Sequence, residues 1–158
     1  MIDYRTDHQV RATNDHNCFG CGKLNPIGLH LDFYAMPEEG IVWAPWMPTV
    51  QYEGYGNMIH GGIISTLMDE ILAWTLYARE TWAVTAKLET KYRKPVEVGK
   101  PVRLIGRIVR ERGRVIELHG EIRTEADDSL LAEANATFIV VPETQAQEWN
   151  DRYLMAQE

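Results

Sequence analysis

The spacing of apolar residues changes several times along this chain, and each change marks a different kind of element. Up to Pro26 the chain is polar and turn-rich. Two short apolar runs follow, Leu29–Ala35 and Ile41–Trp46, with Pro37-Glu38-Glu39-Gly40 between them. This pattern predicts two strands joined by a turn. Met47–Ile59 contains Pro48, Gly54 and Gly56 and predicts a long loop, a kind of segment that usually carries function. From Gly61 to Ala78 the spacing becomes helical. Ile63, Ile64, Leu67, Met68, Ile71, Leu72, Trp74, Leu76 and Tyr77 cover nearly the whole circumference of that helix. A helix apolar all round is buried on all sides, so the rest of the chain must wrap it.

The wrapper follows directly. In Val84–Arg93 the even positions Val84, Ala86, Leu88, Thr90 and Tyr92 alternate with Thr85, Lys87, Glu89, Lys91 and Arg93. In Arg114–Thr124, Ile116, Leu118, Gly120 and Ile122 share one face. In Ser129–Val141, Leu130, Ala132, Ala134, Ala136, Phe138 and Val140 do the same. Val102–Arg112 alternates less cleanly and has Gly106 inside it. Alternation with period two predicts antiparallel strands with one buried face. That face is small at Gly106, Gly120, Ala132, Ala134 and Ala136, which leaves room for the bulky helix to approach. The expected fold is α+β: a curved antiparallel sheet wrapped around one long central helix. Residues 1–142 are expected to form this domain. Residues 143–158, with Trp149 and Tyr153 four apart, are expected to form a terminal amphipathic helix or tail.

Composition narrows the function. The 158 residues are 45% hydrophobic and 25% charged, as in a soluble globular protein, and long enough to need no disulfide staple. The net charge of −7 argues against a general nucleic-acid or anionic-membrane binder. The charge is unevenly spread, however. Residues 87–123 hold eleven of the sixteen Lys and Arg and carry +6, while the rest carries −13. That suits either a small polyanionic ligand or plain solvated strand faces. Met1–Val10 has no apolar core and does not read as a signal peptide. The longest apolar stretch, around Ile71–Ala78, is far short of the ~20 residues that span a bilayer. A cytoplasmic location with reduced thiols is expected.

Four segments carry candidate chemistry. His60-Gly61-Gly62 opens the buried helix. Its first backbone N–H groups favour negative charge and suit an oxyanion hole, although a glycine pair also simply permits a tight turn. Asp69 lies two turns further on, among apolar residues, with Glu70 about 100° around the helix. A carboxylate there is costly unless paired, so it is either a functional group or part of a narrow polar stripe with Ser65, Thr66 and Thr75. Thr85 can hold a water, and Lys91, Arg93 and Lys94 bring cations to the end of its strand, where arginine and lysine suit phosphate. Cys18-Phe19-Gly20-Cys21-Gly22, after Asn14-Asp15-His16-Asn17, has the C-x-x-C spacing of a zinc site, with His16 and His30 nearby. With only two thiols, a glycine-rich turn holding two small buried cysteines is the better reading, and no metal is expected. Trp43, Trp46, Tyr55, Trp74, Tyr77 and Trp82 are aromatic candidates for either an acyl pocket or plain core.

Together these segments resemble the hot-dog fold acyl-CoA thioesterases of the phenylacetyl-CoA thioesterase (PaaI) type, over about residues 15–142. The resemblance rests on His60-Gly61-Gly62 with Asp69 nine residues after the histidine, on Thr85, and on Tyr92-Arg93-Lys94-Pro95. The segments Cys18–Gly22 and Asn25-Pro26-Ile27-Gly28-Leu29 add to it. It implies hydrolysis of an acyl-CoA to a carboxylic acid and coenzyme A, which enters as part of the substrate, with no separate cofactor. It implies homodimers, often paired into homotetramers, with active sites at the dimer interface. Asp69 would be nucleophile or general base, acting on a thioester held by His60 and Gly61 of the partner. The N–H of Gly61, with that of Gly62, would polarise the carbonyl. Thr85 would orient water or the carboxylate, and Tyr92, Arg93, Lys94 and Pro95 would meet the coenzyme. Some members place an asparagine six residues before the histidine, where this chain has Gly54. A hydratase or dehydratase on the same fold, and a non-catalytic acyl-CoA sensor, are the rival readings.

Overall fold

The computed structural model describes residues 8–10, 13 and 15–153. Most of the amino-terminal tail and residues 154–158 of the expected terminal helix lie outside the described residues. The strands are β1 (His8–Gln9), β2 (Tyr34–Met36), β3 (Ile41–Trp46), β4 (Ala83–Tyr92), β5 (Val102–Arg112), β6 (Val115–Thr124) and β7 (Leu130–Val140). The helices are α1 (Gly61–Tyr77) and α2 (Glu143–Tyr153), and Val50–Tyr52 forms one 3-10 turn. All seven strands join one sheet in the order β1-β2-β3-β5-β6-β7-β4, every neighbour antiparallel. This is the expected α+β architecture, with α1 against the concave face.

The small inward residues act as their size predicted. Val42, Gly106, Gly120, Ala134 and Thr90 form one cross-sheet row. α1 lies directly on it: a Cβ on Gly106 would collide with the Thr75 hydroxyl, and one on Gly120 would press on Leu72 and Met68. Thr75 is buried and its hydroxyl donates to the Ile71 carbonyl at 2.8 Å. Leu67, Met68, Ile71, Leu72 and Leu76 are fully buried. The other side of the helix is covered by irregular chain, with Phe33 stacked on Trp74 at 4.6 Å.

Two expectations need correction. Leu29–Ala35 is not one strand, because only Tyr34 onward joins the sheet. Leu29 and Leu31 instead donate their N–H groups to the carbonyls of Phe19 and Gly20. The alternately buried segment, which turns at His30 with φ 52°, is thus spent on holding the cysteine turn. In β4 the register shifts between Thr85 and Lys87. Such a bulge inserts one residue and swaps the faces beyond it. Ala83 and Thr85 therefore share the inner side with Leu88, Thr90 and Tyr92, and Val84, expected inside, is 48% exposed. β4 pairs only with β7, which leaves it as the sheet's free edge.

Candidate active site

The predicted residues gather at the two ends of β4. At one end, the 53–59 loop sets the start of α1. Gly56 and Asn57 both take positive φ, and the Asn57 N–H donates to the Glu53 carboxylate at 2.7 Å. Asn57 is used in making this turn. Gly54 packs beside the His60 backbone, where a Cβ would press at 3.2 Å. His60 caps the helix: its Nδ1 accepts from the Gly62 N–H at 2.9 Å. Two consequences follow. The proton of the neutral ring sits on Nε2. The Gly62 N–H is satisfied within the chain, so the amide open to an incoming oxygen narrows from the expected pair to Gly61. The Tyr92 hydroxyl ties strand to helix, donating to the Gly61 carbonyl at 2.9 Å and lying 2.8 Å from Ser65 Oγ. His60, Gly61, Tyr92, Arg93, Lys94 and Pro95 together line a cavity of about 640 Å³, with Tyr55 and Ala132.

Asp69 lies at the other end, about 12 Å further along α1 at 1.5 Å per residue. Thr85, turned inward ahead of the bulge, donates its hydroxyl proton to Asp69 Oδ1 at 2.6 Å. Both line a second cavity of about 620 Å³ with an aromatic wall of Trp74, Tyr77, Trp82, Trp149 and Tyr153. Of the six aromatic candidates, Trp74, Tyr77 and Trp82 reach this cavity and Tyr55 the other. Trp46 is buried beside Tyr52, and Trp43 stacks on Tyr34. The structure therefore joins Asp69 to Thr85, and His60 and Gly61 to Tyr92–Pro95, but separates the two groups within one chain.

The second cavity contains residues that sequence reasoning did not connect. Glu70 meets the cysteine turn. Its Oε1 accepts from Trp74 Nε1 at 3.1 Å and from the Cys18 thiol at 3.7 Å. Burial, and then the charge of Cys18, push the Glu70 carboxyl up to about 7. A hydrogen bond from Cys21, helped by backbone amides, pulls the Cys18 thiol down to about 5, while the same bond and burial push Cys21 up. Cys21 is buried as expected, but Cys18 is exposed, because its side chain opens to the cavity. The sequence offered one signal for this cluster, the adjacency of two carboxylates in an apolar helix. α2 was legible only as a helix. Its Trp149 and Tyr153 pack on Trp82, and Trp82 Nε1 donates to Asn150 Oδ1 at 3.0 Å.

Four of the eleven cations of the basic segment are paired on the outer sheet face. Arg103 pairs with Asp128, Arg107 and Arg123 with Glu121, and Arg110 with Glu117. At the first cavity Arg93 pairs with Glu133 at 2.8 Å, and Lys94 has no acidic partner within ion-pair distance among the described residues.

Comparison with known proteins agrees with this geometry. Residues 56–131 match the Thioesterase superfamily profile. The Xenopus laevis protein named acyl-coenzyme A thioesterase THEM4 is 29% identical over 107 residues, 68% of this chain and 48% of that protein. The crystal structure of the thioesterase superfamily protein RHA08564 superposes with a TM-score of 0.73 at 26% identity, covering 78% of this chain and 63% of that one. The Streptococcus mutans protein smu.793, solved bound to acetyl-CoA, superposes with a TM-score of 0.64 at 23% identity, covering 70% and 88%. The matched segment, just under half of the chain, is similar to the thioesterase superfamily, and the fold is the hot-dog fold of these solved structures. The chain spans under half the length of the curated relatives it matches. Among the described residues no helix is long and apolar enough to cross a membrane.

Proposed function

We propose that this chain hydrolyses acyl-CoA thioesters at a site completed by a second copy of itself. The carrying observation is the 2.6 Å hydrogen bond from Thr85 to Asp69 Oδ1 at the mouth of an aromatic cavity. The bond holds one carboxylate oxygen and leaves the other for chemistry. Asp69 adds to the thioester carbon, or draws a proton from a water that does so. In either case the C–S bond breaks and the thiolate of coenzyme A leaves and takes up a proton. After direct attack water opens the acyl anhydride at Asp69, so the acid keeps an Asp69 oxygen and water restores the carboxylate. On the general-base route water itself supplies the second oxygen of the acid. The developing oxyanion needs donors, and Gly61 N–H and His60 Nε2–H are the pair available at the start of α1.

Those donors belong to the other end of β4, which is why a second copy is required. A two-fold axis through Leu88 pairs the free edges of two β4 strands antiparallel. Thr85 of one copy then faces the Lys91 end of the other, and Lys87 faces Glu89, opposite charges across the join. Each Asp69 cavity approaches the His60 cavity of the second copy. The acyl group fills the aromatic side, and the coenzyme lies along Tyr92–Pro95, with Arg93 and Lys94 toward its phosphates. The acetyl-CoA seen with smu.793 and the name of the THEM4 relative support this substrate class.

A thiol-release assay across short, long and aromatic acyl-CoAs tests the reading. Asp69→Ala is expected to lower kcat by roughly 10²–10⁴-fold with an unchanged circular dichroism spectrum. Full activity in that variant overturns the role of Asp69. Tight acyl-CoA binding without thiol release from the wild type identifies a sensor instead, and hydration of crotonyl-CoA identifies a hydratase. Single-turnover hydrolysis in heavy-oxygen water separates the two routes, because direct attack leaves label in Asp69.

A further inference from the structure

The cysteine turn and Glu70 take no part in the proposed hydrolysis, yet their arrangement is specific. Cys18 Sγ, Cys21 Sγ and a Glu70 carboxylate oxygen all lie within 4.8 Å of one another. The turn is shaped around the carboxylate. A Cβ on Gly20 would collide with Glu70 Cγ and Cδ, so only glycine lets the helix side chain reach the two sulfurs. Gly22 is equally constrained, since a Cβ there would strike the backbone of His16 and Cys18. The Cys18 sulfur also lies 3.7 Å from Glu70 Oε1. The turn is held from outside by Leu29 and Leu31, whose N–H groups donate to Phe19 and Gly20.

We infer that Cys18, Cys21 and Glu70 form a binding site for a thiophilic divalent cation, zinc by its chemistry, with the fourth position open to the aromatic cavity. Two sulfurs at C-x-x-C spacing, joined by one carboxylate oxygen, form a three-ligand tetrahedral zinc set. Softer thiolates select zinc over magnesium or calcium, which prefer all-oxygen shells. Trp74 Nε1 donates to Glu70 Oε1 and aims the carboxylate, as an outer-shell partner of a metal ligand does. The cation would displace the thiol protons and fasten the amino-terminal turn to α1, one residue from Asp69. Two cysteines alone lack a third ligand, which is why the sequence favoured plain buried thiols. The fold supplies the missing ligand from 49 residues further along the chain.

The test uses the full chain, reduced, with both thiols verified free. Zinc is measured by mass spectrometry after equilibration with zinc and exchange into metal-free buffer, and cobalt(II) serves as a spectroscopic probe. Expected are one zinc per chain, and a cobalt complex with thiolate-to-metal charge transfer and the intense visible bands of a tetrahedral ion. Cys18→Ser and Cys21→Ser should each weaken the charge-transfer band and release zinc. Glu70→Gln should alter the visible bands. Trp74→Phe, which keeps the stack on Phe33, should weaken zinc binding by about 10–100-fold. Zinc should also raise the melting temperature of the wild type and not of Cys18→Ser. Substoichiometric zinc in the reduced protein overturns the site, as does cobalt binding unchanged in Cys18→Ser. A Cys18–Cys21 disulfide that on reduction still takes up no zinc overturns it too. None of these measurements reads hydrolysis, so the metal site and the hydrolase reading fail separately.

Discussion

The two cavities at the ends of β4 differ in how they are made. The one at the start of α1 is built mainly from two segments, Gly54–Ile64 and Tyr92–Val96, with Ala132 beside them, and presents an open amide, a histidine and an exposed cation. The one at Asp69 draws on four separated segments: the cysteine turn, the middle of α1, Trp82 with the start of β4, and α2. It presents carboxylates, sulfurs and aromatic rings. In the proposed reaction one end polarises and binds charge, and the other supplies the reacting carboxylate and an apolar wall. On the proposed reading neither is complete as a catalyst, and since both lie on the same edge strand, an edge-to-edge pair would make two complete sites at once.

Breaking the first half at a single atom gives the largest expected effect. Gly61→Pro removes one N–H and little else. Proline is favoured at the first helical position, and His60 at φ −58° and ψ 134° already has the extended conformation that precedes proline. A Cβ there meets Tyr92 no closer than 3.6 Å. Loss of this oxyanion donor should lower kcat by about 10²–10³-fold, measured by thiol release. Mixing this inactive variant with inactive Asp69→Ala, with subunit exchange, should restore about a quarter of wild-type activity, because half the dimers are mixed and each has one intact site. No recovery places both halves in one chain and breaks the comparison.

A smaller effect is expected within the second half. Thr85→Val keeps the shape and removes the hydrogen bond to Asp69. A hydrogen bond to a charged group contributes about 1.5–3 kcal/mol, so kcat should fall by roughly 10–100-fold with KM little changed. Thr85→Ser should recover most of the loss. An unchanged rate in Thr85→Val would mean that Asp69 is positioned without it.

The same contrast explains what could be read in advance. The all-round apolar run of α1 and the alternation of β6 and β7 are local signals, and the small residues at Gly106 and Gly120 foretold how closely the helix sits. His60-Gly61-Gly62 was legible because its residues are adjacent. Asp69 was legible as a costly carboxylate in an apolar helix. The side of β4 on which Thr85 stands was not, because the inserted residue at the bulge has no marker in the side-chain pattern, and strict alternation placed it outward. Glu70 beside Cys18 was hidden for another reason. It depends on a loop folding back 52 residues in sequence, and its one signal was the adjacency of two carboxylates in an apolar helix. The basic segment misled by composition. Four of its eleven cations, Arg103, Arg107, Arg110 and Arg123, form ion pairs on the outer face, where such pairs occur without a ligand.

That last point yields the smallest and most selective prediction. Lys94 lines the first cavity, while Arg110 is held by Glu117 at 2.6 Å on the outer face. If the coenzyme lies along Tyr92–Pro95, Lys94→Ala removes an exposed charge that meets substrate and transition state equally. KM for an acyl-CoA should then rise several-fold with kcat unchanged. The increase should shrink as ionic strength rises, since exposed charges are screened within about 10 Å at 0.1 M salt. It should vanish for a thioester of N-acetylcysteamine, which lacks the nucleotide. Arg110→Ala should leave both substrates unaffected. Equal KM changes for the two thioesters would detach Lys94 from the phosphates. Equal effects of Lys94→Ala and Arg110→Ala would mean that the protein responds only to its overall charge.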